Sequence, residues 1–92
     1  MSNSIAGRIV PNTTSVTTTA TPIPATATSG RRSILLHNAG STIVYLGDST
    51  VTTSNGIPLN PAEKISFDLD ANVILYGRTG SNSSDVRSLE GV

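Results

Sequence analysis

Hydrophobic residues in this chain alternate or gather in short runs, and nowhere recur at helical spacing. Lys64–Asp70 (KISFDLD) alternates cleanly, so Ile65, Phe67 and Leu69 share an inward face while Lys64, Ser66, Asp68 and Asp70 face water. Arg32–Asn38 (RSILLHN) holds a continuous apolar run and predicts a central strand. Thr42–Leu46 (TIVYL) and Asn72–Tyr76 (NVILY) predict two more strands, and Val51–Thr53 and Asp85–Leu89 complete the set. Ile57-Pro-Leu59-Asn-Pro61 reads as a kinked edge segment, because proline cannot donate to a ladder. Turns are expected at Asn38–Ser41 and Gly47–Ser49, and a loop at Gly77–Ser84. Asn55-Gly56 is the strongest hairpin signal, since both residues tolerate the positive φ of a type I′ turn. Strands recurring about every ten residues, with Gly, Asn and Pro between them, predict an all-β fold. The expected architecture is a small antiparallel β-sandwich or a jelly-roll-like barrel. There is no internal repeat.

The pattern changes before Gly30. Arg8 is the one charged residue among the first thirty, and Asn12–Thr28 (NTTSVTTTATPIPATAT) is biased toward Thr, Ala and Pro. Pro22 and Pro24 exclude a helix there, and β-branched Thr favours extended backbone. Residues 1–28 are therefore expected to form an extended N-terminal arm, with a strand near Thr13–Thr19, and residues 29–92 a compact β domain. The competing reading is a disordered low-complexity tail. Val16, Ala20 and Ile23 suit burial against a partner and favour the arm.

Composition narrows the function classes. The 92 residues carry six cationic and six anionic side chains, one His and no Cys. That length supports one small domain. Six cations at zero net charge argue against sequence-independent nucleic-acid binding, which needs many phosphate contacts. No apolar run approaches the ~20 residues of a membrane span, and Met1–Val10 lacks the apolar stretch of a signal peptide. Without Cys there is neither a thiolate nucleophile nor a thiolate metal site. Ser and Thr make up 26 residues, while Tyr45, Phe67 and Tyr76 are the only aromatics. Such a chain builds a thin core, so self-association or docking onto a larger partner is expected.

Three constellations could carry chemistry. Val44-Tyr-Leu-Gly-Asp-Ser49 resembles the nucleophile block of GDS-type esterases, but that chemistry needs a base and a carboxylate oriented on Ser49. His37 is the one histidine and precedes Ser49, with no later Asp-x-x-His. Asp68-Leu-Asp70-Ala-Asn72 matches the opening of a calcium loop, yet Val73 and Thr79 stand where Gly and Glu are required. Glu63, Asp68, Asp70 and Asp85 could supply a glycosidase pair, but the chain has no Trp platform. His37 reads as a strand-end or interface residue. Arg31-Arg32 reads either as a contact to an acidic partner or as a solvated strand start. Asn12-Thr-Thr and Asn82-Ser-Ser fit the glycosylation sequon and read as loop residues. The expectation is a non-enzymatic protein with no catalytic, cofactor or metal residues.

One resemblance covers nearly the whole chain. It runs from Thr21-Pro-Ile-Pro-Ala25 through Arg32-Ser-Ile-Leu-Leu-His-Asn38, Gly40-Ser-Thr-Ile-Val-Tyr-Leu-Gly47 and Val51-Thr. It continues through Asn55-Gly-Ile-Pro-Leu59, Pro61 and Asn72-Val-Ile-Leu-Tyr-Gly77 to Val86-Arg-Ser-Leu-Glu90. This order resembles small virion structural proteins of tailed bacteriophages, most of all head decoration (cement) proteins. The resemblance implies a protein on the outer surface of the capsid that bridges major capsid protein subunits. It also implies a homo-oligomer, a trimer favoured and a dimer possible, without nucleic-acid or membrane partners. The alternatives are a phage tail, fibre or head–tail component, or a glycan- or receptor-binding β-sandwich.

Overall fold

A computed structural model describes residues 7–92, which form two four-stranded antiparallel sheets enclosing one core. The strands are β1 (Ile9–Val16), β2 (Thr21–Pro22), β3 (Ser33–Asn38), β4 (Val44–Gly47), β5 (Ile57–Leu59), β6 (Lys64–Asp68), β7 (Tyr76–Thr79) and β8 (Ser84–Gly91). One sheet has the order β1-β8-β3-β6, the other β2-β7-β4-β5. The chain passes from sheet to sheet at every connection except β4–β5. Among the described residues there is no helix. The all-β sandwich expected from the strand spacing is the observed architecture.

Alternation decides which side chains meet. In the first sheet Val16, Val86, Ile34 and Leu36 point inward; Val44, Leu46 and Leu59 of the second sheet face them. Ile23 and Leu75 fill the same core from the flanking segments, and Ile65, Phe67 and Leu69 pack along its margin. The inward face expected of KISFDLD is therefore correct. Gly77 lets β7 lie close over this core, since a Cβ there would stand 2.7 Å from Ile23 Cδ1 and 3.0 Å from Val44 Cγ1. Asn38 pins the β3–β4 crossing. Its Nδ2 donates to the carbonyls of Thr42 and Leu59, and its Oδ1 accepts from Gly40 N–H and the Ser84 hydroxyl.

Several expectations are corrected. The division at residue 28 is not a packing boundary. Ile9–Val16 pairs along its length with Ser84–Gly91 of its own chain, and Val16 and Ile23 are core residues. Inward alternation of Asn12, Thr14 and Val16 gives this segment a face to bury, and β8 offers an open edge. Residues 1–6 of the expected arm lie outside the described residues. The continuous run at Asn72–Tyr76 is not one strand. Asp70–Val73 is a turn, Val73 and Ile74 are exposed, and pairing begins at Tyr76 and runs to Thr79 inside the expected loop. Val51–Thr53 makes no strand either. Val51 is a buried residue of the β4–β5 loop, and Gly56 N–H closes that loop onto Thr52 O. Positive φ occurs at Gly30, Ala62 and Asn82, so Asn55-Gly56 is not a type I′ turn. Asn55 instead accepts the Thr52 amide through its side chain.

Candidate interaction surface

Cross-strand register sorts the outer face of the first sheet into rows. Pro11, Leu89, Leu35 and Ser66 lie opposite one another on β1, β8, β3 and β6. The next row along is Thr13, Arg87, His37 and Lys64, and the row on the other side is Ile9, Gly91, Ser33 and Asp68. The face thus carries an apolar stripe of Ile9, Pro11, Leu89 and Leu35, bordered at one end by Arg87, His37 and Lys64. Ile9 is 56 % exposed and Leu89 40 %. Pro11, Leu35 and Leu89 form the apolar side of an open groove of about 510 Å³ that His37 and Arg87 also line. Arg87 is held in place by Asp85 at 3.0 Å, a hydrogen-bonded pair that raises the guanidinium above its ordinary value. Both partners are solvent-exposed, so the pair orients the side chain more than it stabilises the fold.

Arg31 and Arg32 part company. Arg32 is exposed, but Arg31 is only 2 % exposed and meets fully buried Glu90 at 2.9 Å. The other guanidinium nitrogens donate to the carbonyls of Leu69 (3.2 Å), Asp70 (3.0 Å) and Val73 (2.6 Å). Glu90 in turn accepts the Thr28 amide and hydroxyl at 3.1 and 2.7 Å. For Arg31 both expected readings, partner contact and solvated strand start, are replaced by an internal clamp. It joins the segment before β3, the turn after β6 and the last strand.

The remaining candidates are dispersed. Asp48-Ser49 is an exposed turn in which Asp48 accepts the Thr50 amide at 2.8 Å and its hydroxyl at 2.6 Å. These bonds, the hydroxyl's foremost, hold the Asp48 carboxyl below its ordinary value. Ser49 follows β4 of the second sheet, whereas His37 sits on the outer face of the first. Asp70 caps the Asn72 amide at 2.8 Å, and the Asp70 and Val73 carbonyls are turned toward Arg31. Asp68 lies on the exposed side of β6, Asp85 is committed to Arg87, and Glu63 accepts the Asn60 amide. Among the described residues, no three His, Asp or Glu side chains gather as a metal site. Asn12 lies half-buried on β1, and Asn82 is in the exposed β7–β8 connection.

Sequence reasoning missed both the Arg31–Glu90 clamp and the outer stripe. The stripe was legible in part: Leu35 lies between inward Ile34 and Leu36 and must therefore face outward. Comparison of the chain with family models, with curated proteins and with solved structures gives no significant match.

Proposed function

We propose that this chain is a non-enzymatic virion structural protein that decorates the capsid exterior and bridges major capsid protein subunits as a homo-oligomer. The observation that carries the reading is the apolar stripe on the outer face of the first sheet, bordered by Arg87, His37 and Lys64. A small sandwich with a thin core gains from covering such a stripe, and clustered exposed apolar side chains mark contact surfaces. Arg87, already paired with Asp85, and the His37 ring border the stripe with polar groups, which suits a partner surface that sets a polar rim beside an apolar patch. The docking element is this sheet face and not a free arm, because residues 9–28 are built into the sandwich. Repeated weak contacts on a symmetric lattice add up to high avidity.

Cryo-electron microscopy of particles carrying the protein tests this, alongside Leu89→Asp. Leu89 faces outward and is part-exposed, so the variant stays folded, within roughly 1 kcal/mol of the parent. Regular protrusions over the head that disappear with Leu89→Asp are the expected result. Density confined to the tail supports a tail or fibre component. No density on any particle, or decoration indifferent to Leu89→Asp, overturns the reading.

A further inference from the structure

We infer that β6 is a self-complementary edge through which two copies of this chain join, β6 against β6 antiparallel, about a two-fold axis at Ser66. The inference deepens the proposed function by naming its homotypic contact, and it yields a dimer where the resemblance favours a trimer.

The phase of the ladder sets which groups are free. Leu69 N–H donates to Arg32 O at 3.0 Å and Asn38 N–H to Glu63 O at 3.1 Å, so the odd-numbered residues of this strand bond to β3. The N–H and C=O groups of Lys64, Ser66 and Asp68 therefore project from the free edge. No proline interrupts them. With the axis at Ser66, Lys64 of each copy stands opposite Asp68 of the other, Ser66 opposite Ser66, and Ile65 opposite Phe67. Every outward donor meets an outward acceptor.

The side chains match on both faces. Lys64 and Asp68 are exposed, and among the described residues neither makes an ion pair. They are four residues apart on one strand, about 13 Å, too far to pair with each other. The two-fold brings them together twice. On the other face Ile65 and Phe67 are only partly buried, and pairing places each beside the other across the new ladder. A slip of two residues one way would set Lys64 against Ser66 and lose both charge pairs. The other way it would set Lys64 against Asp70, which lies beyond the strand with its carboxylate on the Asn72 amide and its carbonyl on Arg31. The register centred on Ser66 is therefore preferred. The other edges fit less well. β1 lacks a donor at Pro11, β5 is three residues with Pro58 at its centre, and β2 is two residues including Pro22.

Sedimentation of the isolated protein tests the contact without particles, so its outcome is independent of whether the protein decorates a head. The parent should sediment at twice the chain mass. Lys64→Asp sets like charges opposite each other twice and should weaken the dimer by about tenfold to a hundredfold. Adding Asp68→Lys to that variant reverses both partners and should restore it. Ser66→Pro removes an outward donor and no bond to β3, so it should give a folded monomer, with its strand circular dichroism unchanged. A monomeric or trimeric parent overturns the inference. So does a dimer that survives both Lys64→Asp and Ser66→Pro, or a charge swap that fails to rescue.

Discussion

A buried guanidinium is tolerated when each of its nitrogens finds an acceptor, and Arg31 finds a carboxylate and three carbonyls. Removing it leaves Glu90 charged in the core with only Thr28 as donor. Arg31→Met should therefore cost about 3–5 kcal/mol, read as the fall in unfolding free energy in urea. The clamp was legible by one further step of alternation. Val86, Ser88 and Glu90 share the inward face of β8, but a strand expected to stop at Leu89 leaves the carboxylate outside the pattern. A buried Glu demands a cation, and Arg31 beside β3 meets that demand. Asp48 offers a smaller test. Its folded-state value lies below the ordinary 3.8, so its contribution is complete above that pH and is lost as pH falls through the folded value. Thr50→Val removes the leading hydrogen bond and should move the Asp48 midpoint upward in an NMR pH titration.

Among the elements, regular alternation was easy to read and continuous apolar runs were not. KISFDLD could bury only one face, and does so. NVILY offered no period, and the clamp's demand for the Asp70 and Val73 carbonyls holds its first half in a turn. Strand propensity yields there to satisfaction of a buried charge. The same accounting explains Pro11 in an eight-residue strand. Arg8 and Val92 exchange both of their hydrogen bonds, so even-numbered residues of β1 face β8 and Pro11 faces the open edge. Its missing donor costs the ladder nothing and blunts that edge. At Gly77 the constraint is space. Gly77→Ala must displace the Ile23 terminus or Val44, and should lower stability by about 1–3 kcal/mol in thermal unfolding.

For the whole molecule, the all-β class could be read from punctuation, but topology could not, nor the exact set of strands: Val51–Thr53 is a loop and Thr21–Pro22 pairs with β7. Neither polarity nor turn chemistry says that Ile9–Val16 closes on Ser84–Gly91, because that pairing joins the two ends of the described chain. Thr-rich sequence looked like an arm because Thr serves an inward-and-outward strand as readily as an extended tail. Deleting residues 1–28 should therefore abolish cooperative folding, since it removes Val16 and Ile23 from the core and bares β8. Circular dichroism melting distinguishes this from a detachable arm, whose loss would leave the transition intact. With most strands paired to distant ones, refolding is expected to be slow for so short a chain, in milliseconds to seconds by stopped flow.

The alternating direction of the β6 backbone also writes a code in deuterium. Amides of Ile65, Phe67 and Leu69 are locked to β3, while those of Lys64, Ser66 and Asp68 meet solvent in the single subunit. Uptake along this strand should run fast, slow, fast, slow, residue by residue. When a neighbour is engaged the fast members fall silent and the slow ones hardly change. One strand thus reports its own occupancy, in any mixture and on any particle, without an attached reporter group or a mutation.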